Sequence, residues 1–325
     1  MVKAIRIHQT GGPEVLTYED VEIGHPGPGQ ALVRHAAIGL NFIDCYFRSG
    51  LYPAPGGLPL IPGNEGAGTV VAIGDGVTEV AVGDRVAYVV GPGSYAEERL
   101  VPAERLVRLP EAISFEVGAA AMLKGLTVRN LLLRTHKVGP GTTLLFHAAA
   151  GGVGQIAGQW AKHLGATVIG TAGGAEKVAL AKSLGYDHVV DYKKDDFVAA
   201  VKDITGGRGV DVVYDSIGKD TFPKSLDCLR PLGLFVSFGN ASGPVPPFSL
   251  QELASRGSLF ATRASVFAYI AQRADLEASA TDLFAVLASG AVKIPVANSW
   301  KLADAASAHR ALEARATTGS AVLIP

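Results

Sequence analysis

Cysteine is scarce: Cys45 and Cys228 are the two in 325 residues. They are too few and too far apart for a disulfide framework or a structural zinc cluster, so a reducing, cytoplasmic setting is expected. Charge of either sign is not in excess, with 29 Lys and Arg against 30 Asp and Glu, interleaved along the chain. Without a basic field there is nothing to gather phosphate backbones or anionic lipid, and neither nucleic acid nor a membrane surface is an expected partner. Long apolar runs are missing as well; no stretch approaches the ~18 uninterrupted apolar residues of a membrane span. The segment from Met1 to His8 alternates apolar and polar residues like a half-buried strand and lacks the apolar centre of a signal peptide. No internal repeat or low-complexity tract is found.

What is present is core-forming material: 48% of residues are hydrophobic, and 40 are glycine. A chain of this length exceeds the usual size of one domain, and two domains sharing a cleft are expected. Up to about Val107 the pattern is short alternating runs broken by Gly and Pro, such as Ala31 to Ala37, Ala67 to Ile73 and Arg85 to Val90. This predicts a small all-β module. From Phe115 to Thr135 apolar residues return at helical spacing. Between Thr142 and about Ala261 the texture becomes strand, Gly-containing turn and helix in repeated order, which predicts a doubly wound parallel sheet with helices on both faces. Helices over Phe222 to Leu229 and Leu276 to Ser289, and strands over Leu234 to Phe238 and Ser258 to Ala261, are expected. The tail after about residue 262 loses the βαβ rhythm. It is expected to return to the first module, giving boundaries of 1–125 and 263–325 for that module and 126–262 for the domain inserted in it.

Leu144 to Phe146 form an apolar strand, followed by His147-Ala148-Ala149-Ala150-Gly151-Gly152-Val153-Gly154 and an amphipathic helix. Backbone N–H groups and the positive helix end suit a pyrophosphate there, although Ala149 stands at the first glycine of the G-x-G-x-x-G fingerprint. The plain alternative is that these glycines only let helix and strand pack closely, as Gly154 is expected to do in either case. A site for NAD ends its second strand in an acidic residue that accepts from the ribose hydroxyls. Here Thr171-Ala172-Gly173-Gly174 stands instead. With Lys177 at the start of the next helix, the 2′-phosphate of NADPH is favoured; the alternative for Lys177 is a solvated helix lysine beside Glu176. His147 is expected to be a strand histidine satisfied by its neighbours and Cys45 a buried, inert thiol.

Several segments, in order, resemble the quinone oxidoreductases and zeta-crystallin of the medium-chain dehydrogenase/reductase superfamily. They are Gly11 to Leu16, Gly39-Leu40-Asn41-Phe42-Ile43-Asp44, Arg48 to Pro53, Leu123-Lys124-Gly125-Leu126-Thr127, Phe146 to Gly154 and Val236 to Asn240. The resemblance implies an α/β protein, with a Rossmann doubly wound parallel sheet inserted into a GroES-like, mostly-β catalytic domain, and a homodimer paired through Rossmann edges near Ser258 to Ala261. In the zinc-dependent alcohol dehydrogenases of the superfamily a cysteine stands at Asn41 and a histidine at Asn64, before Glu65. Amides replace those ligands here, so no metal is expected and the implied activity is NADPH-dependent reduction of quinones. Reduction of α,β-unsaturated aldehydes or ketones needs the same cofactor pose and stays open, as does a non-catalytic NADPH-binding role.

By the same resemblance Asn41, Tyr46 and Tyr52 border the substrate cleft, on a segment expected to be a Gly/Pro-flanked turn. Asn41 is suited to donate to a carbonyl and the tyrosines to bond a quinone oxygen, packing being their plain alternative. Phe42 and Ile43 are implied to pack on the cofactor. Its further contacts are implied to be Thr127, Asn130, Gly151, Gly152, Val153, Gly173, Lys177, Tyr192, Ser216, Phe238, Gly239, Asn240 and Arg315.

Overall fold

The computed structural model describes residues 1–314 and 316–325, so the expected contact Arg315 lies outside the described residues. The chain begins with β1 (Val2–Ile7), β2 (Leu16–Val21), β3 (Gln30–Gly39), α1 (Phe42–Ser49) and β4 (Glu65–Ile73). There follow β5 (Arg85–Val89), β6 (Glu98–Pro102), β7 (Leu106–Arg108) and α2 (Phe115–Asn130). The alternating part comprises β8 (Thr143–Phe146), α3 (Gly152–His163), β9 (Thr167–Ala172), α4 (Ala175–Ser183), β10 (His188–Asp191), α5 (Phe197–Ile204), β11 (Val210–Asp215), α6 (Lys224–Asp227), β12 (Leu229–Ser237), α7 (Gln251–Ser255) and β13 (Phe260–Arg263). The tail holds α8 (Val266–Tyr269), α9 (Arg273–Ala288), β14 (Val296–Lys301), α10 (Ala305–Glu313) and β15 (Ser320–Ile324).

Two compact units result. The first gathers Met1–Leu126, Tyr269–Ala288 and Ile294–Pro325; the second holds Thr127–Ala268 and Ser289–Lys293. In the first, a seven-stranded sheet runs β14-β15-β3-β4-β5-β7, with β6 on β3, while β1 and β2 form an antiparallel pair. The C-terminal β15 pairs antiparallel with β3 at Val322–Gly39 and Leu323–Ile38, so the tail completes a sheet begun near the N-terminus. Alternation along β3 puts Ala31 and Val33 into one apolar cluster with Val70, Val86, Val101 and Leu106. Ile38 and Leu323 enter another with Ile5, Phe47 and Tyr95.

In the second unit all six strands are parallel, in the order β10-β9-β8-β11-β12-β13. Chain direction across the sheet therefore reverses between β8 and β11, which is the topological switch of a doubly wound fold. Leu145, Ile169, Val213 and Phe235 bring neighbouring strands into one buried cluster with Phe197 and Val201 of α5.

Three local expectations are corrected. Helix α6 covers Lys224–Asp227 rather than Phe222 to Leu229, and β12 opens at Leu229. The pairing with β11 then slips between Val210–Leu229 and Val212–Leu234, because Pro231, Leu232 (φ 60°) and Gly233 interrupt the ladder. Ser258 has φ 56°, a left-handed backbone that cannot start a strand, and β13 begins at Phe260. Helix α9 starts at Arg273, ahead of the expected Leu276, where the Arg273 guanidinium bonds Glu277 one turn on and the carbonyl of Glu104.

Candidate functional site

In the second unit the carboxyl ends of the parallel strands carry most of the expected cofactor residues. At the end of β8 the chain turns sharply: Ala148 has φ 55°, Ala149 N–H donates to Thr171 O at 2.9 Å and Gly151 N–H to Ala148 O at 2.9 Å. Helix α3 then starts at Gly152, exposing first-turn N–H groups beside a surface of Ala and Gly. Gly154 is fixed by contact, since a Cβ there would overlap the carbonyl oxygen of Ala148 and approach that of Ala149 to 2.7 Å. No side chain larger than Ala projects from residues 148–152, so a pyrophosphate fits this cradle on size and on donor chemistry.

The neighbouring strand ends complete the edge. Gly173 follows β9, Tyr192 follows β10, Ser216 follows β11, and Phe238, Gly239 and Asn240 follow β12. A Cβ on Gly173 would lie 2.5 Å from the Tyr192 hydroxyl, and one on Gly239 would lie 2.6 Å from Ser216 O, so each glycine admits a close neighbour. Lys177 stands half-buried in the first turn of α4, and Tyr192 is exposed. The acid at the end of β10, Asp191, accepts the backbone N–H of Gly174 at 2.9 Å and of Lys193 at 3.2 Å. Those bonds hold its carboxyl below the usual range. Thr127 and Asn130 lie on the last turns of α2 instead of at a strand end, and Asn130 is buried.

His147 is fully engaged: its Nδ1 lies 3.0 Å from the Thr171 hydroxyl and its Nε2 3.0 Å from that of Ser225. Burial lowers its pKa from the ordinary histidine value.

In the first unit, Asn41, Phe42, Ile43 and Tyr46 do not lie on a turn. They start helix α1, with Asn41 as its N-cap and Gly50 (φ 80°) ending it. The Asn41 backbone N–H donates to Asp44 Oδ2 at 2.9 Å. This stops the helix from reading as a loop once folded, although Gly and Pro flank it. The half-buried Tyr46 and Tyr52 rings meet edge to face at 5.2 Å, and Phe42 stands 6.5 Å from Tyr46. These five residues are therefore brought together by one helix and the loop after it.

Beneath them is a buried polar cluster that the sequence reading did not assemble. Glu65, fully buried at the start of β4, accepts the Asn41 side-chain amide at 2.7 Å, the Lys124 ammonium at 3.2 Å and the Leu123 backbone N–H at 2.5 Å. Lys124 also donates to Leu40 O at 3.2 Å. A Cβ on Gly39 would overlap the Glu65 carboxylate, so that glycine makes the room. One of the two Asn41 amide hydrogens is thus committed to Glu65. Behind α1, Asp44 Oδ2 accepts the Tyr95 hydroxyl at 3.0 Å; His309 Nε2 lies 3.0 Å from that hydroxyl and Arg48 donates to His309 Nδ1 at 3.1 Å. Asp44 Oδ1 and both polar side-chain atoms of Asn64 are buried and have no hydrogen-bond partner among the described residues. Burial above all pushes Asp44 up to about 7, and burial, then the Arg48 charge, holds His309 down to about 3. The one signal in the sequence was the Asn41-x-x-Asp44 spacing of a helix start.

Family comparison agrees with both halves. Residues 152–285 match the model described as zinc-binding dehydrogenase, and residues 27–111 the alcohol dehydrogenase GroES-like domain. Despite the first description, no three His, Cys, Asp or Glu side chains gather as a metal cluster among the described residues. Over 326 residues the chain is 51% identical to a quinone oxidoreductase of Pseudomonas aeruginosa, covering 100% of both chains. It is 47% identical to a 2-haloacrylate reductase of a Burkholderia species, covering 100% of this chain and 99% of the other. The solved structure of Escherichia coli quinone oxidoreductase complexed with NADPH superposes with a TM-score of 0.97 at 48% identity, over 99% of this chain and 100% of that one. With the inserted parallel sheet, the Gly-rich turn and identity of this extent, the chain belongs to the quinone oxidoreductase family of the medium-chain dehydrogenase/reductase superfamily.

Proposed function

We propose that this protein reduces quinones with NADPH. The observation that carries the cofactor choice is the end of β9, where Gly173 and Gly174 stand in place of an acid while Asp191 is turned onto backbone N–H groups. β9 thus ends without the acid that would bond a ribose hydroxyl, Asp191 Oδ1 is engaged by backbone N–H groups, and Lys177 supplies a cation for the 2′-phosphate beside Glu176. Gly151, Gly152 and Val153 receive the pyrophosphate, and Gly173, Lys177 and Tyr192 the phosphorylated ribose. Ser216, Phe238, Gly239 and Asn240, together with Thr127, Asn130, Phe42, Ile43 and Arg315, complete the cofactor contacts.

When bound, NADPH supplies the hydride. Asn41, held by Glu65 at one amide hydrogen, offers the other to the acceptor oxygen as negative charge develops there. Tyr46 and Tyr52, packed edge to face, give an aromatic wall whose hydroxyls serve the second carbonyl. A second reading, reduction of an activated alkene, is favoured by the 47% identical 2-haloacrylate reductase. Steady-state rates with benzoquinones, naphthoquinones, enones and 2-haloacrylate decide between them: quinones are expected to give the higher kcat/KM, and a preference for the alkenes would replace this reading.

The sequence-based limits 1–125 and 263–325 for the catalytic domain and 126–262 for the dinucleotide-binding domain are proposed as functional domains, in a cytoplasmic enzyme whose two cysteines are buried and free. We also propose a homodimer paired along β13, the edge strand of the six-stranded sheet, where Phe260 is 60% exposed. A monomer by light scattering would overturn that pairing.

A further inference from the structure

The side chain left out of the functional reading, His147, stands at the carboxyl end of β8 directly before the phosphate turn. One arrangement of hydrogens satisfies its whole surroundings. The Thr171 hydroxyl donates to His147 Nδ1 (3.0 Å), Nε2–H donates to the Ser225 oxygen (3.0 Å), and the Ser225 hydroxyl donates to Asp215 Oδ2 (2.9 Å). Asp215 Oδ1 in turn accepts the backbone N–H of Ile217 at 2.8 Å and of Gly218 at 3.0 Å. All four side chains are buried, and the imidazole packs edge-on against Phe197 at 5.1 Å. Burial keeps the ring neutral, as this arrangement requires.

The chain of bonds crosses the switch between β8 and β11 and reaches the turn after β8 and the loops after β11 and β12. Thr171 is used twice: its hydroxyl meets His147 and its carbonyl accepts Ala149 N–H, inside the turn. Asp215 is used twice too, its carboxylate setting the loop after β11 and its carbonyl accepting Phe238 N–H at 2.8 Å, after β12. Between them Ala148 keeps a left-handed backbone (φ 55°) without being glycine, a conformation that persists only where its surroundings over-determine it.

We propose that His147 is a positioning residue for NADPH, acting through Thr171, Ser225 and Asp215 to hold the pyrophosphate turn and the loops after β11 and β12 in one fixed arrangement. Both ring nitrogens are consumed in this task, which leaves none for acid or base chemistry. The inference rests on the reading of this edge as the NADPH site.

Titration of NADPH fluorescence on the folded protein tests it, with three variants. His147→Leu fills the space and offers no hydrogen bond, His147→Gln keeps a donor for Ser225, and Ser225→Ala removes the bridge together with a 3.2 Å bond to the Thr221 carbonyl. The expected dissociation constants are about tenfold weaker for His147→Leu, within about twofold of wild type for His147→Gln, and about threefold weaker for Ser225→Ala. A ring that only fills space predicts Leu and Gln alike, and equal constants for them would overturn the proposal. Should His147→Leu fail to fold, Ser225→Ala decides alone, and an unchanged constant there overturns it. Absence of NADPH binding by the wild type would instead strike the reading of the edge itself.

Discussion

Each unit buries a histidine whose Nε2–H points to a hydroxyl that donates to an aspartate. In the second unit the path is His147, Ser225, Asp215; in the first it is His309, Tyr95, Asp44. The two differ at their ends. Both oxygens of Asp215 are bonded, by a hydroxyl and two backbone N–H groups. Asp44 concentrates its donors on Oδ2 and leaves Oδ1 buried with no partner among the described residues. The same wiring therefore makes a fixed anchor under the phosphate edge and a carboxyl group that exchanges its proton near neutral pH behind α1. Complete hydrogen bonding, more than burial, separates the anchored carboxylate from the one left with an open oxygen.

The largest expected effect breaks the first unit at its ion pair. Lys124→Met leaves Glu65 buried without its cation and should cost about 3–5 kcal/mol, read from the urea midpoint, whereas adding Glu65→Gln should restore most of it. A single variant as stable as wild type would remove the pair from the account.

Asp44 sharpens the comparison through pH. Its pKa rises from 3.8 to about 7 on folding, so between those values the folded protein holds a proton that the unfolded chain has released. Its contribution to stability therefore falls as pH rises through that window. Asp44→Asn abolishes the fall, and relative to wild type the variant should gain up to about 4 kcal/mol between pH 4 and pH 7 and nothing further above it. His309 has the opposite sign, its contribution being lost as pH falls from 6.5 towards about 3, but it is common to both proteins and cancels in the difference. A pH-independent difference would show that Asp44 titrates normally.

Gly154→Ala breaks the second unit. The added methyl meets the carbonyls of Ala148 and Ala149, and a cost of about 1–3 kcal/mol in NADPH affinity is expected by isothermal titration. Unaltered affinity would mean that the turn yields freely. Smallest is Lys177→Ala, expected to raise KM for NADPH about tenfold with little change for NADH. Equal changes for both would deny Lys177 the 2′-phosphate.

The alternation of strand and helix made the second unit readable, since buried parallel strands and amphipathic helices have distinct periods and Gly punctuates each strand end. Helix α1 was hidden because Gly39, Gly50 and Pro53 frame it like a turn; only Asn41 and Asp44, at cap spacing, signalled it. The polar chains were not readable at all. Ser225 is 78 residues from His147, and His309 is 214 from Tyr95, distances over which no local pattern carries pairing information. The same holds for Lys124 and Glu65, which the sequence shows only as a lysine in a helix and a glutamate after an asparagine.

The most direct test of the account is the ratio of kcat/KM for NADPH to that for NADH, measured with the purified protein and 1,4-benzoquinone. The open end of β9 and the cation of Lys177 predict a ratio above about tenfold. A ratio at or below one, or no oxidation of either nucleotide, would contradict it.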